Sequence, residues 1–300
     1  MSRIEDKYIS PFTDFGFKKL FGTEPNKDLL IDFLNELLKK DEGKIIDLTF
    51  LPKEQLGRID EDRRAIFDIY CENEQGEKFI VELQKAKQNY FKDRSIYYST
   101  FPIQSQAKKG QWNFQLKSVY TIGILDFVFD EDKDDPDVYH HEVQLFDKTT
   151  EKVFYDKLTY IYLEMPKFNK TEAQLSTHYD KWLYVLKNLE DLTKRPAKLQ
   201  ERVFKKLFKQ AEIANYSDTE YAEYEESLKR YRDLKNCIDT SFDDGKAEGK
   251  IEGKIEGKYE NQKETALNLH KLGFEIKTIT QATGLSMEEI KEIIKNSELK

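Results

Sequence analysis

Asp68 and Glu82 are the residues whose type and spacing point first to chemistry. Asp68 stands in Ile66-Phe67-Asp68-Ile69-Tyr70 and Glu82 in Ile80-Val81-Glu82-Leu83-Gln84. Both runs are rich in β-branched and aromatic residues and read as strands. Side chains on a strand repeat every two residues, so Glu82 and Gln84 share a face. The polar link Glu72-Asn73-Glu74-Gln75-Gly76-Glu77 joins the runs, and Gly76 tolerates a positive φ, so an antiparallel hairpin is expected. That hairpin sets Asp68 near the middle of one strand and brings it together with Glu82 at one edge. Two convergent carboxylates suit a hard dication such as Mg²⁺, which keeps several waters and leaves room for a phosphate oxygen. Such an ion polarises a phosphodiester and lowers the pKa of an attacking water. The alternative is a solvated face, because exposed acids on hairpins are common.

The flanking charges favour the first reading. Lys85 and Lys87 follow directly, then Asn89-Tyr90-Phe91-Lys92-Asp93-Arg94-Ser95-Ile96-Tyr97-Tyr98, in which cations alternate with aromatics, then Lys108-Lys109-Gly110-Gln111-Trp112. From Lys78 to Ser118 there are eight basic residues against two acidic ones, whereas the whole chain carries a net charge of −8. Proteins that coat nucleic acid are usually basic overall. The global charge therefore restricts any DNA contact to weak, salt-sensitive binding on one basic face.

These residues need elements to hold them. Residues 28–40 carry Leu29, Leu30, Phe33, Leu34, Leu37 and Leu38 at helical spacing. Strands are expected at 45–51, 65–71 and 78–83, a helix at 88–107, and further strands at 119–129, 138–146 and 157–164. An antiparallel meander feeding a crossover helix is a mixed α/β pattern. Beyond Pro166 come long helical patterns at 171–191, 197–214 and 218–237. Four tetrads then repeat an acid-Gly-Lys-x pattern from Asp244 to Tyr259. Glycines at that density cost a helix about 1 kcal/mol each relative to alanine. The segment is either a charged flexible linker or a helix stabilised by association along its glycine stripe. The last 40 or so residues read as a small helical unit with a helix-turn-helix spacing, in which Ser286 and Glu289 fit a capping box. Its last helix carries Glu288, Glu289 and Glu292 against Lys291 and Lys295, which favours packing or self-association over DNA reading.

Other residues read more plainly. His140 and His141 face opposite ways on a regular strand and cannot share one ion. The acidic run Asp130 to Asp137 lacks the glycine of an EF-hand loop and is expected to be a solvated turn. Cys71 and Cys237 make no disulfide framework and no paired-cysteine zinc site, which fits a reducing cytoplasm. No apolar leader opens the sequence. The longest near-apolar run, Val119 to Phe129, is too short to cross a bilayer and contains Asp126. Walker, dinucleotide and Gly-x-Ser-x-Gly signatures are absent.

The order of several motifs resembles the PD-(D/E)XK nuclease family transposases, the group that includes recombination-promoting nucleases. They are Pro11-Phe12-Thr13-Asp14-Phe15-Gly16-Phe17-Lys18-Lys19-Leu20-Phe21-Gly22, Ile66-Phe67-Asp68-Ile69 and Val81-Glu82-Leu83-Gln84. The likeness continues through Tyr97-Tyr98, Thr121-Ile122-Gly123-Ile124-Leu125-Asp126-Phe127, His140-His141 and Leu163-Glu164-Met165-Pro166-Lys167-Phe168, covering roughly residues 8 to 170. The resemblance implies an α/β, restriction-endonuclease-like mixed sheet core with a helical C-terminal extension, and metal-dependent cleavage of DNA. It implies that Asp68 and Glu82 hold Mg²⁺, with the backbone carbonyl of Leu83 as a further ligand. Gln84 would occupy the place of the motif's lysine. An amide hydrogen-bonds but brings no charge to the water. Either the metal alone activates the nucleophile, or Lys85 or Lys87 reaches in. Lys85 is expected on the opposite face, which leaves Lys87 the freer of the two. Asp14 and Lys18, four apart on a helix, would complete the site, unless Asp14 caps that helix. Lys85, Lys92, Arg94, Lys108 and Lys109 would contact DNA.

The expectation is a cytoplasmic, Mg²⁺-dependent endodeoxyribonuclease of the recombination-promoting or transposase-like kind, with no membrane segment and with self-association through the C-terminal region. Its organisation would be a nuclease core at 1–170, a helical extension at 171–240, the repeat segment at 241–260 and a small helical unit at 261–300. The competing reading keeps the nuclease fold without the chemistry, as an inactive DNA-binding or self-associating protein; a third makes the α/β part only a docking domain on a helical scaffold.

Overall fold

A hydrogen-bonded knot at the first helix fixes one wall of the site. The structure, a computed structural model, describes residues 6–39, 43–55, 65–107 and 113–298. Helix α1 (Asp14–Phe21) is capped by Thr13 and not by Asp14. The Thr13 hydroxyl oxygen accepts the Gly16 N–H (2.9 Å) and donates its own proton to the Ser10 carbonyl (2.8 Å). Only glycine fits next to this knot, because a Cβ on residue 16 would lie 2.1 Å from the Ser10 oxygen. Helix α2 (Lys27–Leu38) buries Leu29, Leu30, Phe33, Leu34 and Leu37, the stripe that its spacing predicts.

The strands follow as β1 (Leu48–Phe50), β2 (Glu54–Gln55), β3 (Ala65–Ile66), β4 (Ile69–Asn73) and β5 (Lys78–Gln84). Then come helix α3 (Phe91–Ser105) and strands β6 (Val119–Leu125), β7 (His140–Asp147) and β8 (Lys152–Glu164). Six of the strands form one sheet in the order β1-β4-β5-β6-β8-β7, and β2 pairs with β3 separately. Strands β1, β4 and β5 form an antiparallel meander, β5, β6 and β8 run parallel, and β7 returns antiparallel. A parallel neighbour cannot be reached by a tight turn, and α3 supplies the crossover from β5 to β6. The expected hairpin turn is present: Gly76 has φ +81°, and Asn73 Oδ1 accepts the N–H groups of Gln75 (3.1 Å) and Glu77 (2.9 Å).

Alternation divides the sheet's side chains between two layers. Ile69, Cys71, Phe79, Val81, Leu83, Ile122, Ile124, Ile161 and Leu163 join the main core with α1, α2, α4 (His178–Asn188), α5 (Arg202–Ala211) and the start of α6 (Asp218–Lys271). Trp182 centres that layer between Phe21, Phe33 and Phe204, and its indole N–H donates to Asp32 (2.6 Å). On the other face, Leu125, Tyr160 and Tyr162 pack with Phe91 and Phe129, while Tyr70 and Ile80 pack with Phe67, Tyr98 and Phe101. This is the expected α/β core with a helical C-terminal part.

Two compact units divide the chain at Lys235 and Asn236. In the second, the end of α6 joins α7 (Ile276–Thr283) and α8 (Met287–Glu298) around Ala266, Ile279, Leu285, Ile290 and Ile293. Ser286 and Glu289 form the expected reciprocal cap, with the Ser286 N–H donating to Glu289 (2.7 Å) and the Glu289 N–H to the Ser286 hydroxyl oxygen (3.2 Å). The glycine tetrads are helical, and a Cβ on Gly245, Gly249, Gly253 or Gly257 would meet nothing within 4 Å. Among the described residues, no helix is long and apolar enough to cross a membrane.

Candidate active site

The expected strand at 65–71 is broken where the chemistry lies. Strand β3 ends at Ile66 and β4 starts at Ile69, so Asp68 sits in a two-residue interruption and not in mid-strand. The two acids replace the missing ladder. The Leu83 N–H donates to Asp68 Oδ2 (2.8 Å) and the Asp68 N–H donates to Glu82 Oε1 (3.2 Å). Each carboxylate thus has one oxygen tied to the partner segment's backbone. Gln84's carbonyl accepts the N–H of Asp126 on the β6 side (2.9 Å), while the Leu83 N–H is turned to Asp68. A strand residue points both of its backbone polar groups at the same neighbour, so the Leu83 carbonyl is also directed towards the Asp68 side.

Electrostatics make the pair costly when it carries no cation. Burial, then the charge of Asp68, pushes Glu82 up to about 8, although the Asp68 backbone N–H, Arg94 and Lys53 oppose the shift. Burial also raises Asp68, helped by Asp14 and opposed by the Leu83 N–H, Lys85 and Lys53. Lys53 is partly buried, and its pKa falls through burial and then the nearby charge of Lys18. A small cavity of about 130 Å³ is lined by Asp14, Phe17, Lys18, Lys53, Asp68 and Leu83, with Phe67 behind them. The structure therefore brings Asp14 and Lys18 of α1 to Asp68. It adds Lys53, which precedes β2 and carries no signal in sequence beyond its type. Only the fold brings that lysine within reach of both acids.

The residues beyond β5 are arranged differently from expectation. Lys85 lies just past the strand end, and its ammonium is 2.6 Å from Asp14 Oδ1, at the rim of the cavity. Lys87, expected to be the freer cation, pairs with Asp130, and Lys92 pairs with Glu131. The acidic run after β6 is thus more than a solvated turn, because it neutralises two lysines of the basic stretch. Such exposed pairs are weak. Gln84 is buried, its amide donates to the Ala86 carbonyl (2.7 Å), and its oxygen accepts from Arg94. Arg94 also stands over the rings of Phe91 and Tyr98. Lys108 and Lys109 lie outside the described residues. His140 and His141 do turn opposite ways: His140 Nδ1 lies 2.9 Å from the Tyr179 hydroxyl, and His141 Nε2 points to Glu164 (3.3 Å).

The interrupted strand thus holds one acid and the adjacent strand the other. The sequence matches the PD-(D/E)XK nuclease family transposases over residues 11–241. No curated protein and no solved structure matches the chain. The match spans most of the 300 residues and contains Asp14, Asp68 and Glu82. The chain therefore belongs to the PD-(D/E)XK nuclease family transposases.

Proposed function

We propose that this protein is a Mg²⁺-dependent endodeoxyribonuclease, acting in a reducing cytoplasm on DNA during recombination or transposition. The observation that carries the reading is the acid pair itself. Two carboxylates are held side by side, each with one oxygen fixed by backbone and the other accepting no hydrogen bond among the described residues. That donor set fits a hard dication. Asp68 and Glu82 would hold Mg²⁺ with the Leu83 carbonyl, and the bound ion would polarise the scissile phosphate and acidify a water.

The chain's own residues would do the rest. Lys53 and Lys18 would contact non-bridging phosphate oxygens and offset charge as it builds in the transition state. Asp14 would steer Lys85 towards the same phosphate. Gln84, in the place of the motif's lysine, would act by holding Arg94 and the turn at Ala86. Lys85, Lys87 and Lys92 would bind the DNA backbone once phosphates displace their acidic partners, together with Arg94, Lys108 and Lys109. A break in both strands needs two such sites, which fits association of two copies through the C-terminal region.

Supercoiled plasmid tests this reading when incubated with Mg²⁺, with EDTA, and with Asp68→Ala and Glu82→Ala proteins. Nicking that needs Mg²⁺ and both acids is expected. Nicking that persists in both variants overturns the assignment. DNA binding without cleavage in the wild-type protein would favour the inactive reading, for which the commitment of the Gln84 amide to its own chain is the supporting observation.

A further inference from the structure

We propose that Asp132, His141 and Glu164 form a second cation site, selective for a zinc-class transition dication and separate from the Asp68–Glu82 pair. Three elements supply it: the short helical turn Asp130–Asp132, the second residue of β7 and the last residue of β8. His141 Nε2 lies 3.3 Å from Glu164 Oε2 and 3.7 Å from Asp132 Oδ2, and the three ligand atoms all lie within 4.8 Å of one another. Ligands at about 2.0–2.2 Å from a tetrahedral zinc stand roughly 3.3–3.6 Å apart. The two His141 spacings are therefore close to what such an ion requires, and the Asp132–Glu164 spacing is within 4.8 Å.

One unmet polar atom points to a ligand. The Glu164 side chain is fully buried with its Oε2 beside Lys167, and His141 Nε2, also out of water, has no hydrogen-bond partner. Buried polar atoms without partners are rare in folded proteins. Glu164 Oε1, by contrast, accepts the Phe129 N–H (2.6 Å). Among the described residues the cation in contact is Lys167, whose ammonium is 2.7 Å from Glu164 Oε2 and donates to the carbonyls of Asp132 (2.7 Å) and Val138 (2.9 Å). It offsets one of the two acidic charges and leaves one, together with the second lone pair of Oε2. An imidazole beside two carboxylates selects a transition dication over Mg²⁺, which prefers oxygen ligands alone.

Three protein ligands leave a fourth position. Asp132 and His141 also line a cavity of about 430 Å³ with Lys92, Phe129, Tyr160 and Tyr162, so water or a small anion can complete the shell from there. The ion would fasten the turn that carries Asp130 and Glu131 onto the end of the sheet. Those two acids pair with Lys87 and Lys92, so the metal would hold the acidic turn against the basic stretch.

The test is Zn²⁺ binding by equilibrium dialysis with excess Mg²⁺ present. It uses the full chain carrying Asp68→Ala and Glu82→Ala, so that the nuclease site contributes nothing and its failure is read separately. One Zn²⁺ per chain is expected, with affinity falling at least 10-fold on adding either His141→Ala or Asp132→Ala. Cobalt substitution should give the intense visible absorption of a four-coordinate ion, and His141→Ala should abolish it. Far-UV circular dichroism establishes that the variants are folded; Asp132→Ala, at a partly exposed position, serves if His141→Ala is not. Absence of Zn²⁺ binding, or unchanged affinity in a folded variant, overturns the proposal and leaves an ion pair between Lys167 and Glu164 only.

Discussion

Lowering the pH from 8 to 6 should strip the acid pair of most of its affinity for Mg²⁺, well above the range in which ordinary carboxylates protonate. Burial and the Asp68 charge push Glu82 up to about 8. Below that pH a proton must leave before the ion can bind, so affinity should approach a tenfold fall per pH unit and drop about 50-fold between pH 8 and 6. Isothermal titration at pH 6, 7 and 8 in two buffers of different protonation enthalpy reads both quantities. Close to one proton should be released per ion at pH 6, and few above pH 8. The same shift has a consequence for stability. The unfolded chain ionises Glu82 near 4.5 while the folded chain keeps the proton to about 8. The metal-free protein is then favoured by this group below pH 4.5 and loses that advantage as pH rises through 4.5–8, by at most about 5 kcal/mol. Glu82→Gln should raise the melting temperature of the metal-free protein at pH 8 and leave it nearly unchanged at pH 4. A metal affinity flat from pH 6 to 8, without proton release, would refute the reasoning.

Three further outcomes follow from particular contacts. Gly16→Ala should cost about 2 kcal/mol in chemical denaturation, because overpacking against the Ser10 carbonyl outweighs the gain in helix propensity; an unchanged midpoint would contradict the packing described. Lys53→Met should leave folding intact and plasmid binding within a few-fold, but slow cleavage at least 10-fold, the range expected for a lost charge at a developing oxyanion. Equal rates would remove Lys53 from the site. Sedimentation velocity of the full chain and of a chain ending before Asp244 should give a dimer and a monomer respectively, and identical distributions would exclude the C-terminal region as the contact.

Much of this was legible in the sequence because it depends on local pattern. The apolar stripe of α2, the Asn73–Gly76 turn, the alternation along β5 and the Ser286–Glu289 cap follow from residue spacing, and the structure has all four. What sequence missed depends on long-range approach. Lys18 was read as a site residue but Lys53 was not, because only the fold brings the segment before β2 into one cavity with α1 and Asp68. The break at Asp68 was hidden because Ile66-Phe67-Asp68-Ile69-Tyr70 has unbroken strand composition, while its cause is the hydrogen bonding of Glu82 in another strand. Lys87 looked free because its partner, Asp130, lies beyond a helix and a whole strand. His141 was set aside because it cannot share an ion with His140, and Asp132 and Glu164 reach it only through the sheet's fold.

The central claim is that Asp68 and Glu82 together drive metal-dependent cleavage of DNA. Single-turnover cleavage of an end-labelled duplex in Mg²⁺, by the wild-type protein and by Asp68→Asn/Glu82→Gln, tests it most directly when DNA affinity is measured alongside in Ca²⁺. The isosteric double variant is expected to bind the duplex still but to cleave it at least 100-fold more slowly, a loss of about 2.7 kcal/mol in transition-state stabilisation. Cleavage by that variant at the wild-type rate would contradict the claim.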